Sequence, residues 1–145
     1  MNLEDLLRSR IIMRTKPNRR LAVNSLMRAR RDIETARTLI ENKKLDWSLA
    51  VSYNAMLLAG RGLMFDQGYR PSSTEGHVAV VKFLHVSLGT EVSDRLVMVL
   101  NGMRKKRHRI VYEEMDVVSE DEAEQALKWA EEFVNRIDER IQKTT

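Results

Sequence analysis

Apolar residues recur at intervals of three and four positions along most of this chain, and this spacing constrains the fold more than any other feature. Residues spaced in this way lie on one face of an α-helix. Only two prolines and six glycines stand among the 145 residues, and alternation with a period of two is nearly absent. We therefore expect an all-α fold, an antiparallel bundle of four main helices plus one or two short helices, as a single domain over residues 1–145.

The spacing predicts six helical segments, at about 3–13, 18–41, 46–67, 74–86, 91–112 and 119–141. Asp46 is placed to cap the third segment, and Gly68 is placed to end it in a left-handed conformation. Residues 69–73 then read as a loop. Ser119, three positions before Glu122, forms a capping box that marks the start of the last helix.

Positive charge is concentrated at the front of the chain and negative charge at its end. Residues 1–44 hold 12 Lys and Arg against 5 Asp and Glu, residues 45–109 hold 9 against 5, and residues 110–145 hold 4 against 11. This distribution indicates either an anionic partner for the basic front or packing of the front against the acidic end.

Several classes of protein are excluded or disfavoured by composition. The chain has no cysteine, which excludes a disulfide framework, a thiolate zinc site and a cysteine nucleophile. The first residues carry acids where a secretory signal would carry bases, and no apolar run approaches the roughly 18 residues of a membrane span. We expect a cytoplasmic protein that does not associate with a membrane.

The three histidines do not have the spacing of a metal site. His77 and His85 are eight residues apart, too far to share one ion on a helix, so we expect no metal and no cofactor. His77 reads as a surface residue at a helix start. Tyr53 and Phe65 fall on apolar helix positions, which favours the core over stacking on bases.

The most unusual segment is the run of five cations and one histidine from Arg104 to Arg109. On a helix, Arg104, Arg107 and His108 share one side, and Lys105 and Arg109 share another. Like charges at this spacing cost a few tenths of a kcal/mol per pair, which a bound anion or the acids of a partner would offset. We expect Arg104, Lys105, Arg107 and Arg109 to bind phosphate or RNA. The alternative is a solvated helix end, where cations favour the helix dipole.

Two parts of the sequence resemble the HEPN (higher eukaryotes and prokaryotes nucleotide-binding) domain family. Tyr53-Asn54-Ala55-Met56, followed by Gly68-Tyr69-Arg70-Pro71 and Thr74-Glu75-Gly76-His77, is similar to a family helix, loop and helix start. The segment 107–113 is similar to the late-helix element of the family, written Arg-x4-His or Arg-x3-Asp-Tyr. The resemblance covers about residues 20–141.

The resemblance implies a metal-independent ribonuclease, commonly a toxin paired with a nucleotidyltransferase antitoxin, in which two subunits line one cleft with their motifs. The family arginine would hold phosphate and the histidine would move protons. Here Tyr112 stands where that histidine would follow Arg107, and His108 follows Arg104 with only three residues between. A phenol, with an ordinary pKa near 10, transfers protons poorly at neutral pH. The phosphate-binding role therefore carries over to Arg107, with His108 and Tyr112 as companions.

Three functions follow as expectations. The first is a HEPN-like protein that binds RNA or nucleotide phosphate, forms a homodimer and is the toxin-side partner of a minimal nucleotidyltransferase. The second is a metal-independent endoribonuclease whose catalytic residues are Arg107 with His108 or Tyr112. The third is a non-catalytic interaction module, in which the basic front docks on the acidic last helix of a second subunit or an antitoxin.

Overall fold

The structure is a computed structural model that describes residues 2–72, 76–88 and 94–143. Its elements in chain order are α1 (Leu3–Arg8), β1 (Ile12–Arg14), α2 (Arg19–Glu41), α3 (Leu45–Gln67), β2 (Tyr69–Pro71), α4 (Gly76–Leu88), α5 (Asp94–Tyr112) and α6 (Glu120–Gln142). The predicted all-α class is confirmed, since helices dominate and the described strands form only one two-stranded sheet. The predicted helix starts at 74 and 91 and the break at 89–90 fall outside the described residues.

Helix α3 lies at the centre of the bundle and packs against α2, α4, α5 and α6. It is buried on most of its sides because its sequence is apolar or small at nearly every position. Small residues let α2 approach closely. A Cβ added at Gly62 would lie 3.2 Å from the carbonyl oxygen of Ala22. Three residues connect α2 to α3, so the two helices form a tight hairpin.

The first helix is shorter than the predicted segment 3–13. It ends at Arg8, and Arg10 adopts a left-handed conformation with φ of 58°. Strand β1 then pairs antiparallel with β2, with Ile12 opposite Pro71. The predictions of helix over residues 9–13 and of a loop at residues 69–71 are therefore wrong, and residue 73 of the predicted loop lies outside the described residues. Strands of three residues are too short to produce a readable period, and their partners lie far apart in sequence.

The prediction that Asp46 caps the third helix is also wrong. Lys44 occupies the N-cap position of α3 and makes no side-chain cap. The carboxylate of Asp46 instead accepts hydrogen bonds from the backbone N–H groups of Asp116, Val117 and Val118, at 2.7, 3.2 and 3.1 Å. Asp46 thereby attaches the connection between α5 and α6 to the start of α3.

Two other helix ends agree with the sequence. Gly68 ends α3 with φ of 88°, in the left-handed region that glycine adopts without strain. Ser119 and Glu122 form the capping box of α6 in both directions, with side-chain to backbone distances of 3.1 Å. The first turn of α6, which begins directly after this cap, is acidic.

The acidic end of the chain pairs with its basic front. Ion pairs from α2 and its C-terminal end to α6 join Arg30 to Asp138 at 2.8 Å, Arg37 to Glu131 at 3.0 Å and Lys43 to Glu120 at 2.6 Å. All six side chains are at least partly exposed, so each pair adds little stability by itself. Of the two explanations for the charge distribution, the structure supports packing of the front against the end within one chain.

Candidate functional site

Helix α5 divides the basic run between a core-facing side and a solvent side. Leu100 is fully buried, and Arg104 and Arg107 follow it by four and seven residues, so both continue the buried face. Each is half-buried. The exposed members of the run are Lys105, His108 and Arg109. The predicted phosphate-binding residues therefore point in two directions, as helical geometry requires.

Two cations of the run already have acidic partners. Nζ of Lys106 lies 3.3 Å from Oε2 of Glu122, in the first turn of α6. A guanidinium nitrogen of Arg109 lies 3.2 Å from Oε2 of Glu114. Arg107 has no such contact among the described residues. Arg107 is thus better placed than Arg109 to gain from a bound anion.

His77, in the first turn of α4, is hydrogen-bonded to the core. Its Nδ1 lies 2.9 Å from the hydroxyl oxygen of Tyr53 on α3, and the two ring centroids are 5.7 Å apart. Tyr53 is 1% exposed, as its apolar position predicted, and His77 is half-buried. The prediction of a helix-start position for His77 is correct, but its imidazole is not a free surface group. The sequence could not reveal this contact, which joins residues 24 positions apart.

The side chain of Arg61 on α3 extends to the first turn of α4, beside His77. A Cβ added at Gly76, next to His77, would lie 2.9 Å from Nη2 of Arg61. The Nε atom of Arg61 is buried and has no hydrogen-bond partner within the described part of the chain. Arg61 is not among the site residues predicted from the sequence. The sequence offers one signal, a lone cation in the otherwise apolar or small middle of α3, but nothing in the sequence places Arg61 beside α4.

The positive charges of the three arginines act on both members of the Tyr53–His77 pair. Burial raises the pKa of Tyr53 to about 12, while Arg104, Arg107 and Arg61 oppose that rise. Burial also lowers the pKa of His77, and Arg107, Arg61 and Arg104 lower it further. Both rings are therefore held in their uncharged forms near neutral pH.

We call Arg61, Arg104 and Arg107, grouped around Tyr53 and His77, the arginine cluster. Arg104 donates from Nε to Oδ1 of Asn101 at 3.1 Å. Over the residues that the structure describes, no carboxylate lies within ion-pair distance of any of the three guanidinium groups. Three neighbouring cations without a carboxylate repel one another, and an anion bound among them would remove that cost.

His108 and Tyr112, the predicted companions of Arg107, form a separate pair. Their ring centroids are 4.9 Å apart, and both side chains are exposed, Tyr112 to 68%. They lie on the solvent side of α5. The histidine that contacts the core near Arg107 is His77, which comes from α4.

Other site types receive no support from the geometry. Within the described part of the chain, no three His, Asp or Glu side chains are grouped closely enough to hold a metal ion. None of the described helices combines the length and apolar character that a membrane span requires.

Comparison with known proteins agrees with the resemblance of the two segments. The family model of the HEPN domain matches residues 22–140, which run from α2 to α6. This range includes all members of the arginine cluster, together with Tyr53 and His77. No curated protein matches the chain.

Proposed function

Because this chain belongs to the HEPN domain family, we propose that it binds phosphate groups of RNA or nucleotides through Arg107 and the neighbouring cations of α5. The observation that carries the proposal is the arginine cluster, in which the half-buried Arg104 and Arg107 and also Arg61 act on the same His77 ring, with no carboxylate paired to them among the described residues. Arginine forms two parallel hydrogen bonds to phosphate, and such charge-assisted bonds are roughly twice as strong as neutral ones.

The exposed cations of the run extend this site along the helix. Lys105 and Arg109 lie on the solvent side of α5, where they would contact the backbone of an RNA strand rather than one enclosed phosphate group. Arg109 would first have to leave Glu114, 3.2 Å away. We therefore rank Arg107 above Arg109 as a determinant of affinity.

The proposal includes assembly into a homodimer and pairing with a nucleotidyltransferase. Its support is apolar surface on the helix that carries the site, since Met98 is 73% exposed and Tyr112 is 68% exposed on α5. Side chains of this kind are enriched at protein interfaces. The interaction-module alternative has less support, because the acids of α6 that it requires already pair with α2 in the same chain.

The ribonuclease alternative would use His108 or Tyr112 beside Arg107. One observation favours it, the contact between the two exposed rings at 4.9 Å, which places an imidazole and a phenol together on the solvent side of α5. A strand that crosses from Arg107 to this pair could meet both groups. This function requires cleavage as well as binding.

The test measures binding and cleavage of a labelled single-stranded RNA without added metal, for the wild type, Arg107→Ala and a control. The control is Arg28→Ala, because Arg28 is an exposed arginine of α2, a helix that carries no member of the cluster. We expect Arg107→Ala to weaken binding and to reduce the slope of log affinity against log salt by about 0.7, the value for one phosphate contact on a single strand. Arg28→Ala should keep the wild-type affinity.

Equal affinities of the wild type and Arg107→Ala would refute a role for Arg107, and no binding at low salt would refute the function. Cleavage that persists with a chelator and disappears in Arg107→Ala would establish the ribonuclease alternative. Binding without cleavage would support the proposed phosphate-binding function and count against the ribonuclease alternative.

A further inference from the structure

The arginine cluster has more positive charge in one place than an internal phosphate of RNA can neutralise. A phosphodiester carries one negative charge, whereas a terminal phosphate carries about 1.5 to 2 at pH 7. The cluster holds three guanidinium groups, from α3 and α5, around the imidazole of His77 from α4. Charge complementarity at this site therefore favours a ligand with two negative charges.

We propose that Arg61, Arg104, Arg107 and His77 form a binding site for a terminal phosphate, that is, the phosphate of a nucleoside monophosphate or of an RNA end. This inference rests on the proposed function and names its ligand more closely. The geometry supports it independently of α5, because Arg61 and His77 belong to other helices and lie outside the basic run.

Arg61 provides the strongest structural argument. Its guanidinium reaches the first turn of α4, and its buried Nε has no hydrogen-bond partner among the described residues. A buried donor without a partner destabilises the folded state, because it has lost its hydration and gained no hydrogen bond. A phosphate bound at the terminal nitrogens of Arg61 would stabilise this poorly bonded guanidinium, and the second negative charge would bring Arg104 and Arg107 to the same group.

His77 is oriented for the same ligand. Its Nδ1 is engaged by Tyr53, which leaves Nε2 as the nitrogen available to a bound molecule. The groups around the ring are Tyr53 and Arg61 from α3, and Arg104 and Arg107 from α5. In the tautomer in which the hydroxyl of Tyr53 donates to Nδ1, the neutral imidazole carries its proton on Nε2 and donates it to a phosphate oxygen.

The experiment compares one short fluorescent RNA in three forms, with a 5′-phosphate, with a 3′-phosphate and with hydroxyl groups at both ends. The label is placed on an internal base. Wild type is expected to bind one phosphorylated form at least about tenfold more tightly than the form without a terminal phosphate. This preference should fall to less than about threefold in both variants, because Arg61→Gln removes one cation and His77→Gln removes the imidazole that Tyr53 orients. Arg28→Gln, on α2, is the matched control and should keep the wild-type preference.

Competition identifies the source of the terminal phosphate. AMP that displaces the phosphorylated RNA, while adenosine does not, would assign the site to mononucleotides as well as RNA ends. Failure of AMP to compete would assign it to RNA ends alone. Thermal unfolding of each variant establishes that it is folded, and the comparison of ligands on wild type needs no variant.

Equal wild-type affinity for all three RNAs would overturn the inference and leave the proposed function intact. A preference that survives in both Arg61→Gln and His77→Gln would also overturn it, because the terminal phosphate would then bind elsewhere. Absence of binding to any of the three RNAs at low salt would remove the proposed function, and the inference with it.

Discussion

The hydroxyl oxygen of Tyr53 lies 2.9 Å from Nδ1 of His77, and this contact ties the first turn of α4 to the buried centre of α3. It also fixes one nitrogen of the imidazole, so that the other is the one presented to a ligand. With Arg107 and Arg61 acting on the same ring, a histidine that looks unremarkable in the sequence becomes part of the site.

Acidification should weaken the folded state through His77. Burial and then Arg107, Arg61 and Arg104 place its folded pKa below the ordinary 6.5, so the unfolded chain binds the proton more tightly. The contribution of His77 to stability is therefore complete above about pH 6.5 and is lost as the pH falls toward its folded pKa. We expect wild type to lose more stability than His77→Gln between about pH 7.5 and pH 5. Tyr53, with a pKa of about 12, stays protonated throughout.

Urea denaturation in a buffer without phosphate or sulfate measures this difference, since either anion could occupy the arginine cluster. His85→Gln is the control, because His85 is an exposed residue of the same helix. If His77→Gln had the same pH slope as wild type, the assignment of the slope to His77 would be wrong.

Two fully buried serines of α3 should respond in opposite ways to replacement by alanine. The hydroxyl of Ser48 donates to the carbonyl oxygen of Ala36 at 2.9 Å, whereas the hydroxyl of Ser52 has no partner among the described residues. Ser48→Ala should lower the free energy of unfolding by about 1 kcal/mol, the net value of one hydrogen bond. Ser52→Ala should leave it unchanged or raise it, because no buried bond is lost. Chemical denaturation of both variants measures these free energies of unfolding. An equal decrease in the two variants would contradict the hydrogen-bond assignment.

The carboxylate of Asp46 should be important for stability although it caps no helix. It accepts three backbone hydrogen bonds from residues 116–118. Asp46→Ala should lower the free energy of unfolding by about 2–3 kcal/mol, because bonds to a charged acceptor are stronger than average and three donors lose their partner. Asp46→Asn should lower it less, since one acceptor oxygen remains. Equal effects of the two substitutions would mean that the hydrogen bonds contribute little.

Two helical glycines form a matched pair for packing. A Cβ at Gly60 would lie 2.6 Å from Cγ1 of Val80 and 3.0 Å from Cδ1 of Leu84, whereas a Cβ at Gly102 would meet nothing within 4 Å. Gly60→Ala should destabilise by about 1–3 kcal/mol because α3 and α4 must separate. Gly102→Ala should stabilise by about 0.5–1 kcal/mol through helix propensity. Thermal unfolding checks both, and a stabilised Gly60→Ala would contradict the close approach of the helices.

The helical class, the C-terminal end of α3 and the N-terminal start of α6 could be predicted because they depend on neighbours in sequence. The apolar period, Gly68 after α3 and the Ser119 box before α6 are local signals, and the structure agrees with them. The capping role predicted for Asp46 is wrong, because a cap is predicted only from the residues next to a helix start. Its actual partners lie 70 to 72 residues away, and no local rule connects them.

The residues of the candidate site also differ in whether local signals in the sequence could identify them. Arg104 and Arg107 could be singled out from the basic run, and helical periodicity places them on one side. Arg61 and His77 could not be singled out, because the position of each beside the other depends on how α3, α4 and α5 pack. The Tyr53–His77 contact and the approach of Arg61 to Gly76 are tertiary facts, and each side chain alone has an ordinary structural explanation.

The ion pairs between α2 and α6 bear on the order in which the chain folds. Arg30 and Asp138 are 108 residues apart, whereas α2 and α3 are separated by a three-residue turn. Local contacts form faster than distant ones, so we expect the α2–α3 hairpin to form before α6 docks. During synthesis, the basic face of α2 therefore emerges from the ribosome before its acidic partners exist. A nascent chain of this protein therefore carries a helix of net positive charge beside ribosomal RNA until its last helix is made.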